Sequence, residues 1–312
     1  MTMASSVTPD ALETLGGSGF DTLYARQIEP ELTLREADRR KAMNLFALAV
    51  TAGVVAAAIE AIFLPSMGGG AGARTLEIIL LTLTVAGVVG YLPLARVAKA
   101  AKVDVMNALC APFGIAYQAS GFEPPAWSQF LSLHLLPTPS GKSFEDHFAG
   151  LHAARPFEVC EATLSQGSGR SRHTVFRGQL FKIKFPRIFG GVTVILRDSG
   201  WLNRFECPAG LTKVGLEDPH FEAIFEVFGS DQVEARAILT PTFMEQILKL
   251  EAAYAGEHIR CGFIDGDLLI AIEGRNRFEI GSMFSSLVDR ARVEAIAGDL
   301  TAVFTLIDSF TA

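Results

Sequence analysis

The chain has 312 residues, a formal net charge of −7 and a hydrophobic fraction of 49%. This charge excludes a general nucleic-acid-binding surface, which needs a dominant positive footprint. The cysteines occur singly at wide spacing, so they form no zinc-ligand pattern and no disulfide framework, and we expect reduced, buried thiols at Cys110, Cys160, Cys207 and Cys261. Neither a metal site nor a cofactor is predicted.

Residues 1–41 are predicted to form a cytoplasmic N-terminal arm. The stretch to Gly19 is polar and contains several Gly and Ser residues, a composition typical of disorder. From Phe20 to Lys41 the arm is predicted to be a charged helix that continues into the next segment.

Two apolar segments, residues 42–64 and 75–95, follow the arm. As helices they extend about 34 Å and about 31 Å, which matches the roughly 30 Å hydrocarbon core of a bilayer. Neither has the polar stripe that a helix on a soluble protein needs. The first run is too long and too far from the start to be a signal peptide. The sequence therefore predicts a transmembrane hairpin.

The charges beside these segments predict the orientation of the hairpin. Basic residues precede the first segment and follow the second, whereas the connector 65–74 carries one, Arg74; the flanking residues are Arg35, Arg39, Arg40, Lys41, Arg96, Lys99 and Lys102. Positive charge is retained on the cytoplasmic side. Both termini are therefore expected in the cytoplasm.

Two carboxylates, Glu60 and Glu77, lie within the apolar segments. One interpretation is a proton or cation site, because intramembrane ionisable groups are often functional. The favoured interpretation places both near the headgroups, with Glu77 in the first turn of its helix and Arg74 as a pairing partner. Small residues at four-residue spacing, from Ala49 to Ala57 and from Ala86 to Gly90, predict close helix packing within the hairpin or between copies.

Residues 96–312 are predicted to form a cytoplasmic α+β domain with a mainly antiparallel sheet and C-terminal helices. Strands are expected at 113–117, 157–164, 173–185, 192–196 and in a hairpin over 263–272 that turns at Asp265-Gly266. Gly178 is expected to mark a bulge. Helices are expected after Pro124-Pro125 and over 231–239, where Asp231 and Glu234 have the spacing of a capping box. Another is expected from Thr240 as N-cap with Pro241 at the first position. The C-terminal helix is expected to carry on one face Leu300, Val303, Phe304, Ile307 and Phe310.

Charge within this domain is uneven. Residues 155–213 contain ten Lys/Arg against four Asp/Glu, and residues 214–312 contain seven against seventeen. The candidate contact surface for anionic lipid or a partner is the basic set Arg170, Arg172, Lys182, Lys184 and Arg187. The alternative is an ordinary solvated strand face.

No catalytic residue is predicted. The loop 167–170 (GSGR) lacks the Lys-Ser/Thr ending of a phosphate-binding loop and is better explained as a hairpin turn. The cluster Glu145-Asp146-His147 is interpreted as a solvated helix start, with a metal or acid/base role as the alternative.

A set of segments between residues 216 and 272 resembles a bacterial family catalogued as domain of unknown function 3137. They are LEDP at 216–219, FE at 221–222, VF at 227–228, DQVEAR at 231–236, ILTP at 238–241, FME at 243–245 and the Asp265-Gly266 hairpin. The resemblance implies an arm, two membrane helices and a cytoplasmic domain in a bacterial inner membrane. It supplies no catalytic residue, and a structural role is expected for Asp218, Pro219, Asp231, Gln232, Glu234, Arg236, Thr240 and Pro241.

Three functional hypotheses follow. The favoured one is a non-enzymatic, two-pass membrane protein whose cytoplasmic domain binds the bilayer surface, a protein partner or another copy of the chain. The second is a membrane-associated enzyme that uses carboxylates such as Asp146, Asp218 or Asp231. The third is a transport or channel subunit that uses Glu60 and Glu77.

Overall fold

The computed structural model describes residues 17–63, 71–187, 189–198, 208–254 and 258–311. The chain folds as two compact units. The helical unit contains Gly17–Ala108 and Glu279–Ala295, and the sheet unit contains Leu109–Phe278 and Ile296–Ala312. The helical unit thus includes residues 96–108 and 279–295, which the sequence alone assigns to the domain.

The helical unit is built on two long helices. Helix α1 (Gly17–Leu23) leads through a π-helical turn (Tyr24–Ile28) into α2 (Glu29–Phe63), so the charged arm and the first apolar segment are continuous. Helix α3 (Ala71–Cys110) carries the second apolar segment. Because α3 begins at Ala71, Glu77 lies in its second turn, and the prediction of a first-turn position is wrong. The predicted connector lies partly outside the described residues.

Small residues bring α2 and α3 together. A Cβ atom built on Gly53 would lie 2.5 Å from the Cβ of Ala86, and one built on Gly90 would lie 3.0 Å from the Cβ of Ala49. Such short distances leave no room for a larger side chain at either glycine. The predicted role of these residues in packing within the hairpin is confirmed.

The outward faces of these helices are apolar. Both are long and apolar enough to cross a membrane, and only 6% and 11% of their most apolar stretches are buried. Among the described residues, all but two of the exposed large hydrophobic side chains lie between Leu34 and Leu92; the exceptions are Val233 and Phe284. A core helix of a soluble protein would instead be mostly buried.

The described residues of the sheet unit form one antiparallel sheet of nine strands in the order β1-β2-β3-β4-β9-β8-β5-β7-β6. Its strands are β1 (Ala116–Gln118), β2 (Gly141–His152), β3 (Arg155–Gln166), β4 (His173–Lys184), β5 (Thr193–Arg197), β6 (Thr212–Lys213), β7 (Phe225–Gly229), β8 (Ile259–Ile264) and β9 (Asp267–Glu273). Its helices are α4 (Trp127–Ser132), α5 (Pro219–Glu222), α6 (Gln232–Ile238), α7 (Pro241–Ala253) and α8 (Arg290–Thr311), which begins in the helical unit; 3-10 turns occur at Ala111–Phe113 and Gly169–Ser171. The predicted α+β class and antiparallel sheet are confirmed.

Both faces of the sheet are covered. Trp127 and Phe130 of α4 belong to one core cluster with alternate residues of the central strands, among them Leu180 and Leu269. On the other face Phe304 of α8 packs on Phe157, with ring centroids 6.0 Å apart. The five residues predicted to line the buried face of the C-terminal helix are all buried.

The Asp265-Gly266 hairpin is confirmed, since both residues have positive φ and join β8 to β9. Two local predictions are wrong. Residues 145–147 belong to β2, where the register shifts between Glu145 and Phe148, and Asp146 is fully buried. Gly178 lies in regular register; a Cβ atom there would lie 1.9 Å from the carbonyl oxygen of Ile272, so glycine is required by close backbone approach.

Candidate functional site at the tip of the β3–β4 hairpin

The five predicted basic contact residues lie in three places. Arg170 and Arg172 lie at the tip of the β3–β4 hairpin, Lys182 and Lys184 lie near the far end of β4, and Arg187 follows that strand. Twelve strand residues extend roughly 36 Å. The structure therefore does not join the five into one surface.

Lys182 and Lys184 are paired with carboxylates on neighbouring strands. Lys182 Nζ lies 3.6 Å from Glu158 of β3 and 3.8 Å from Asp267 of β9, and Lys184 Nζ lies 3.1 Å from Asp267. Glu158 also contacts His147 of β2 at 3.1 Å. Alternating charges across four strands cancel much of the positive potential that the two lysines would present.

The hairpin tip is different because its cations face hydroxyl groups. Arg172 donates from Nε to Ser165 Oγ at 2.9 Å, and its guanidinium lies where a Cβ of Gly141 would be, only 2.7 Å away. Ser140 donates to the carbonyl oxygen of Gly167 at 2.9 Å, which ties the start of β2 to the tip. Glycine at 141 thus lets Arg172 lie across the ends of β2 and β3.

We define the tip cluster as the residues that line the resulting concavity of about 320 Å³, together with Arg170 beside it; the lining residues are Lys142, Ser143, Thr163, Ser165, Arg172, His173 and Thr174. Its described lining residues include no carboxylate. Lys142 pairs with Glu123 at 2.8 Å, whereas no described carboxylate forms an ion pair with Arg170 or Arg172. Ser143 donates to Glu145 at 3.4 Å, whereas the guanidinium of Arg172 lies among the hydroxyl groups without a described carboxylate partner, an arrangement that suits a phosphate or other oxyanion.

Most residues of the tip cluster were not predicted from the sequence. Lys142, Ser143 and the hydroxyl residues of β3 and β4 converge only because β2 pairs with β3, and β2 was not predicted. Burial of Phe144, Asp146 and Phe148 at alternate positions marks it as a strand. A carboxylate at the middle position hid that alternation.

Arg187 contributes to a second concavity. It is exposed and lines a groove of about 370 Å³ with four phenylalanines and the corner between α6 and α7; the aromatic residues are Phe185, Phe189, Phe243 and Phe310. The rings of Phe243 and Phe310 lie 5.2 Å apart.

The residues of the family motif organise helix ends in this part of the sheet unit. Asp218 and Asp231 cap α5 and α6, and each accepts two backbone N–H groups of the first helical turn. Thr240 caps α7 by accepting from Phe243 N at 3.3 Å, with Pro241 at the first position. The caps at Asp231 and Thr240 were predicted, and the cap at Asp218 was not.

Glu234 departs from the predicted capping box. Its carboxylate accepts from the backbone N–H groups of Gly190 at 2.8 Å and Gly191 at 2.6 Å and does not return to Asp231. Arg236 donates from Nε to the carbonyl oxygen of Gly215 at 3.2 Å. The charged residues of the motif therefore hold loops onto α6.

Comparison with known proteins finds a family match in the part of the chain that contains these motif residues. Residues 174–311 match the sequence model of a family described as "Protein of unknown function (DUF3137)". This segment belongs to that family. The predicted family is confirmed, although the match begins within β4 and does not reach the apolar helices.

Two further comparisons were made. No curated protein matches the sequence. Among solved structures, the chain resembles the crystal structure of the mycobacterial trehalose monomycolate transport factor A, TtfA, with 8% sequence identity and a TM-score of 0.30, over 64% of this chain and 93% of that one.

The carboxylates of the enzyme hypothesis are not brought together. Asp146 lies in β2, whereas Asp218 and Asp231 of the DUF3137 segment flank β7, six strands away in the sheet. Six strand spacings correspond to roughly 29 Å. Asp146 accepts a hydrogen bond from Tyr117 Oη at 2.7 Å, and the other two are helix caps.

The two carboxylates of the apolar helices also differ in their surroundings. Glu60 accepts from the hydroxyl of Thr82 at 2.9 Å, which joins α2 to α3. Glu77 is exposed. The transport hypothesis uses both carboxylates. In the structure Glu60 is hydrogen-bonded to Thr82.

The described cysteines are buried free thiols, as predicted. Burial raises the pKa of Cys110 and Cys261 to about 12, and burial also raises the pKa of Cys160. A thiol held in its neutral form is a poor nucleophile and a poor metal ligand. Cys207 lies outside the described residues.

Proposed function

We propose that this protein is a two-pass membrane protein whose sheet unit binds anionic lipid headgroups through the tip cluster. The observation that supports the anchor most strongly is the apolar, outward-facing surface of α2 and α3. Exposing that much apolar surface to water costs about 25 cal/mol per Å², and a bilayer removes the cost.

The proposed orientation has both ends in the cytoplasm. It rests on the basic residues that border the apolar segments on their arm and domain sides, and on the single basic residue in the connector. The family resemblance suggests a bacterial inner membrane.

The binding role rests on the chemistry of the tip cluster. Arg170 and Arg172 are exposed and have no carboxylate partner among the described residues, and Arg172 lines the concavity with four hydroxyl residues. A basic residue near an anionic surface contributes about 1 kcal/mol. Two arginines therefore strengthen contact with an anionic bilayer by roughly tenfold to thirtyfold.

Hydrogen–deuterium exchange of the full chain in nanodiscs tests this role. We expect backbone amides of residues 166–174 to exchange more slowly in nanodiscs containing phosphatidylglycerol than in nanodiscs of phosphatidylcholine alone. The double variant Arg170→Ser/Arg172→Ser should lose that difference, because the headgroup phosphates lose their donors.

The matched control is Lys182→Ser/Lys184→Ser, which removes the same charge from paired residues and should leave the difference intact. Equal exchange in both nanodiscs would contradict lipid binding. Protection that appears only when cytoplasmic proteins are added would assign the tip cluster to a protein partner.

A further inference from the structure

Among the described residues of the helical unit, one exposed aromatic residue lies outside the two long helices. Phe284 is 57% exposed and lies in the segment Glu279–Val288, which precedes α8. The neighbouring Met283 and Leu287 are buried. Ile280 is buried as well, so the segment turns three apolar side chains inward and Phe284 outward.

Hydrogen bonds hold this segment against α2. The N–H of Leu287 donates to Glu36 at 3.0 Å, and Arg39 donates to the carbonyl oxygen of Met283 at 3.0 Å. Arg39 also donates twice to Glu36, at 2.7 and 2.8 Å. Hydrogen bonding from Arg39 lowers the pKa of Glu36 to about 2, so the carboxylate is ionised at neutral pH.

A second residue fixes the shape of the turn that carries Phe284. Arg292 donates to the carbonyl oxygen of Ile280 at 2.8 Å and to the hydroxyl of Ser285 at 3.2 Å. Gly281, with φ +85°, lies against the guanidinium, where a Cβ would be 2.6 Å from Arg292 Cζ. The exposure of Phe284 is thus imposed by a bonded turn.

The position of Phe284 along α2 indicates what covers it. Its ring contacts Phe46 edge-on, with centroids 5.8 Å apart. Phe46 lies four residues, or about 6 Å, beyond the start of the apolar segment at Ala42. The exposed apolar residues Leu45 and Leu48 flank Phe46 in the sequence, so the surface around Phe284 continues that of the hairpin.

We propose that Phe284 inserts into the bilayer and makes the segment Glu279–Val288 a further membrane contact, in addition to α2, α3 and the tip cluster. This inference depends on the proposed membrane anchor. Arg39 and Glu36 remain at the headgroup level, and the aromatic side chain two turns further along enters the lipid, as aromatic residues do at membrane interfaces. The start of α8 is thereby fixed at the membrane surface.

The test uses ¹⁹F NMR of the full chain in nanodiscs. The label 4-trifluoromethylphenylalanine, which is close to phenylalanine in shape, replaces Phe284 and, in separate samples, Val55 and Leu34. Val55 is exposed within the apolar segment, and Leu34 is exposed about 12 Å before it. Relaxation is measured with a doxyl-labelled lipid and with a water-soluble gadolinium chelate.

We expect the doxyl lipid to relax the ¹⁹F labels at positions 284 and 55 faster than the chelate does. At position 34 the chelate should relax the label faster than the doxyl lipid does. Lipid contact at 55 with chelate contact at 284 would overturn this inference and leave the anchor intact. Chelate contact at 55 would overturn the anchor itself. A label at 284 that is shielded from both probes would show a protein contact and would also overturn the inference.

Discussion

The two units treat the same kind of side chain in opposite ways. In the sheet unit, Phe157, Phe181, Phe263 and Phe304 are at most 2% exposed, whereas Leu48, Val55 and Leu81 of the long helices are more than half exposed. Apolar side chains are buried from water wherever a fold can achieve it. This difference is the observation behind the proposed anchor, in which a bilayer, whose thickness fits the length of the helices, replaces water as their solvent.

The largest expected effect is in the core of the sheet unit. Phe304→Ala removes a ring that is fully buried against Phe113, His152 and Phe157. We expect the free energy of unfolding to fall by about 3–5 kcal/mol, because the cavity cannot close around a β-sheet. Exchange of the slowest amides of β3 and β4 in the full chain measures it, and a loss below about 1 kcal/mol would contradict the assigned core.

The second effect concerns the ion pair in the helical unit. Glu36→Gln removes a buried carboxylate whose pKa is about 2 in the fold against 4.5 for a free side chain. At neutral pH the free energy of unfolding of the variant should be lower by roughly 3 kcal/mol, which is the stability linked to a pKa shift of that size.

The stability contributed by Glu36 should depend on pH in a defined direction. Because folding lowers this pKa, the stabilisation is complete above pH 4.5 and disappears as the pH falls through 2. Thermal unfolding of wild type and Glu36→Gln should therefore differ at pH 6 and converge below pH 2. A constant difference across that range would rule out the linkage.

Features that depend on interactions between residues close in the sequence were predicted, whereas features that depend on distant residues were not. The long helices, the Asp231 and Thr240 caps and the Asp265-Gly266 hairpin depend on neighbouring residues, and they were predicted correctly. Partners that come from other strands were not predicted. Glu158 and Asp267 pair with Lys182 only after the sheet forms. The same holds for Lys142, which lines the concavity with Arg172.

The same reason explains why the candidate site was predicted in part. Arg170 and Arg172 were recognised by charge, but alternation along one strand cannot show which charges a neighbouring strand cancels. β2 was missed because Asp146 interrupts its apolar alternation, and its bulge with positive φ at Asp146 has no local sequence signal.

A smaller effect is expected at a helix end. Asp231→Ala removes the acceptor of the N–H groups of Val233 and Glu234. We expect a loss of about 1 kcal/mol, with faster amide exchange confined to α6 and the loop that Glu234 holds. Asp231→Asn, which keeps a capping oxygen, should restore most of it, and failure of that rescue would indicate that the negative charge matters more than the cap.

The smallest effect on stability is expected on the exposed surface of the long helices, and it tests the contrast between the two units. Leu81→Ala truncates a side chain that is 63% exposed on α3. In lipid nanodiscs we expect a change within about 0.5 kcal/mol, since the lost contacts are with lipid. Steric trapping of α2 against α3 measures this, and a loss comparable to that of Phe304→Ala would mean that a protein surface covers Leu81.

Membrane fractionation tests the central claim most directly. Cells that express the full chain are lysed without detergent, the particulate fraction is washed with alkaline carbonate, and the protein is followed by immunoblotting. Lipid as the solvent of residues 42–95 predicts that the protein stays in the pellet and is released only by detergent. Intact protein in the carbonate supernatant would contradict it.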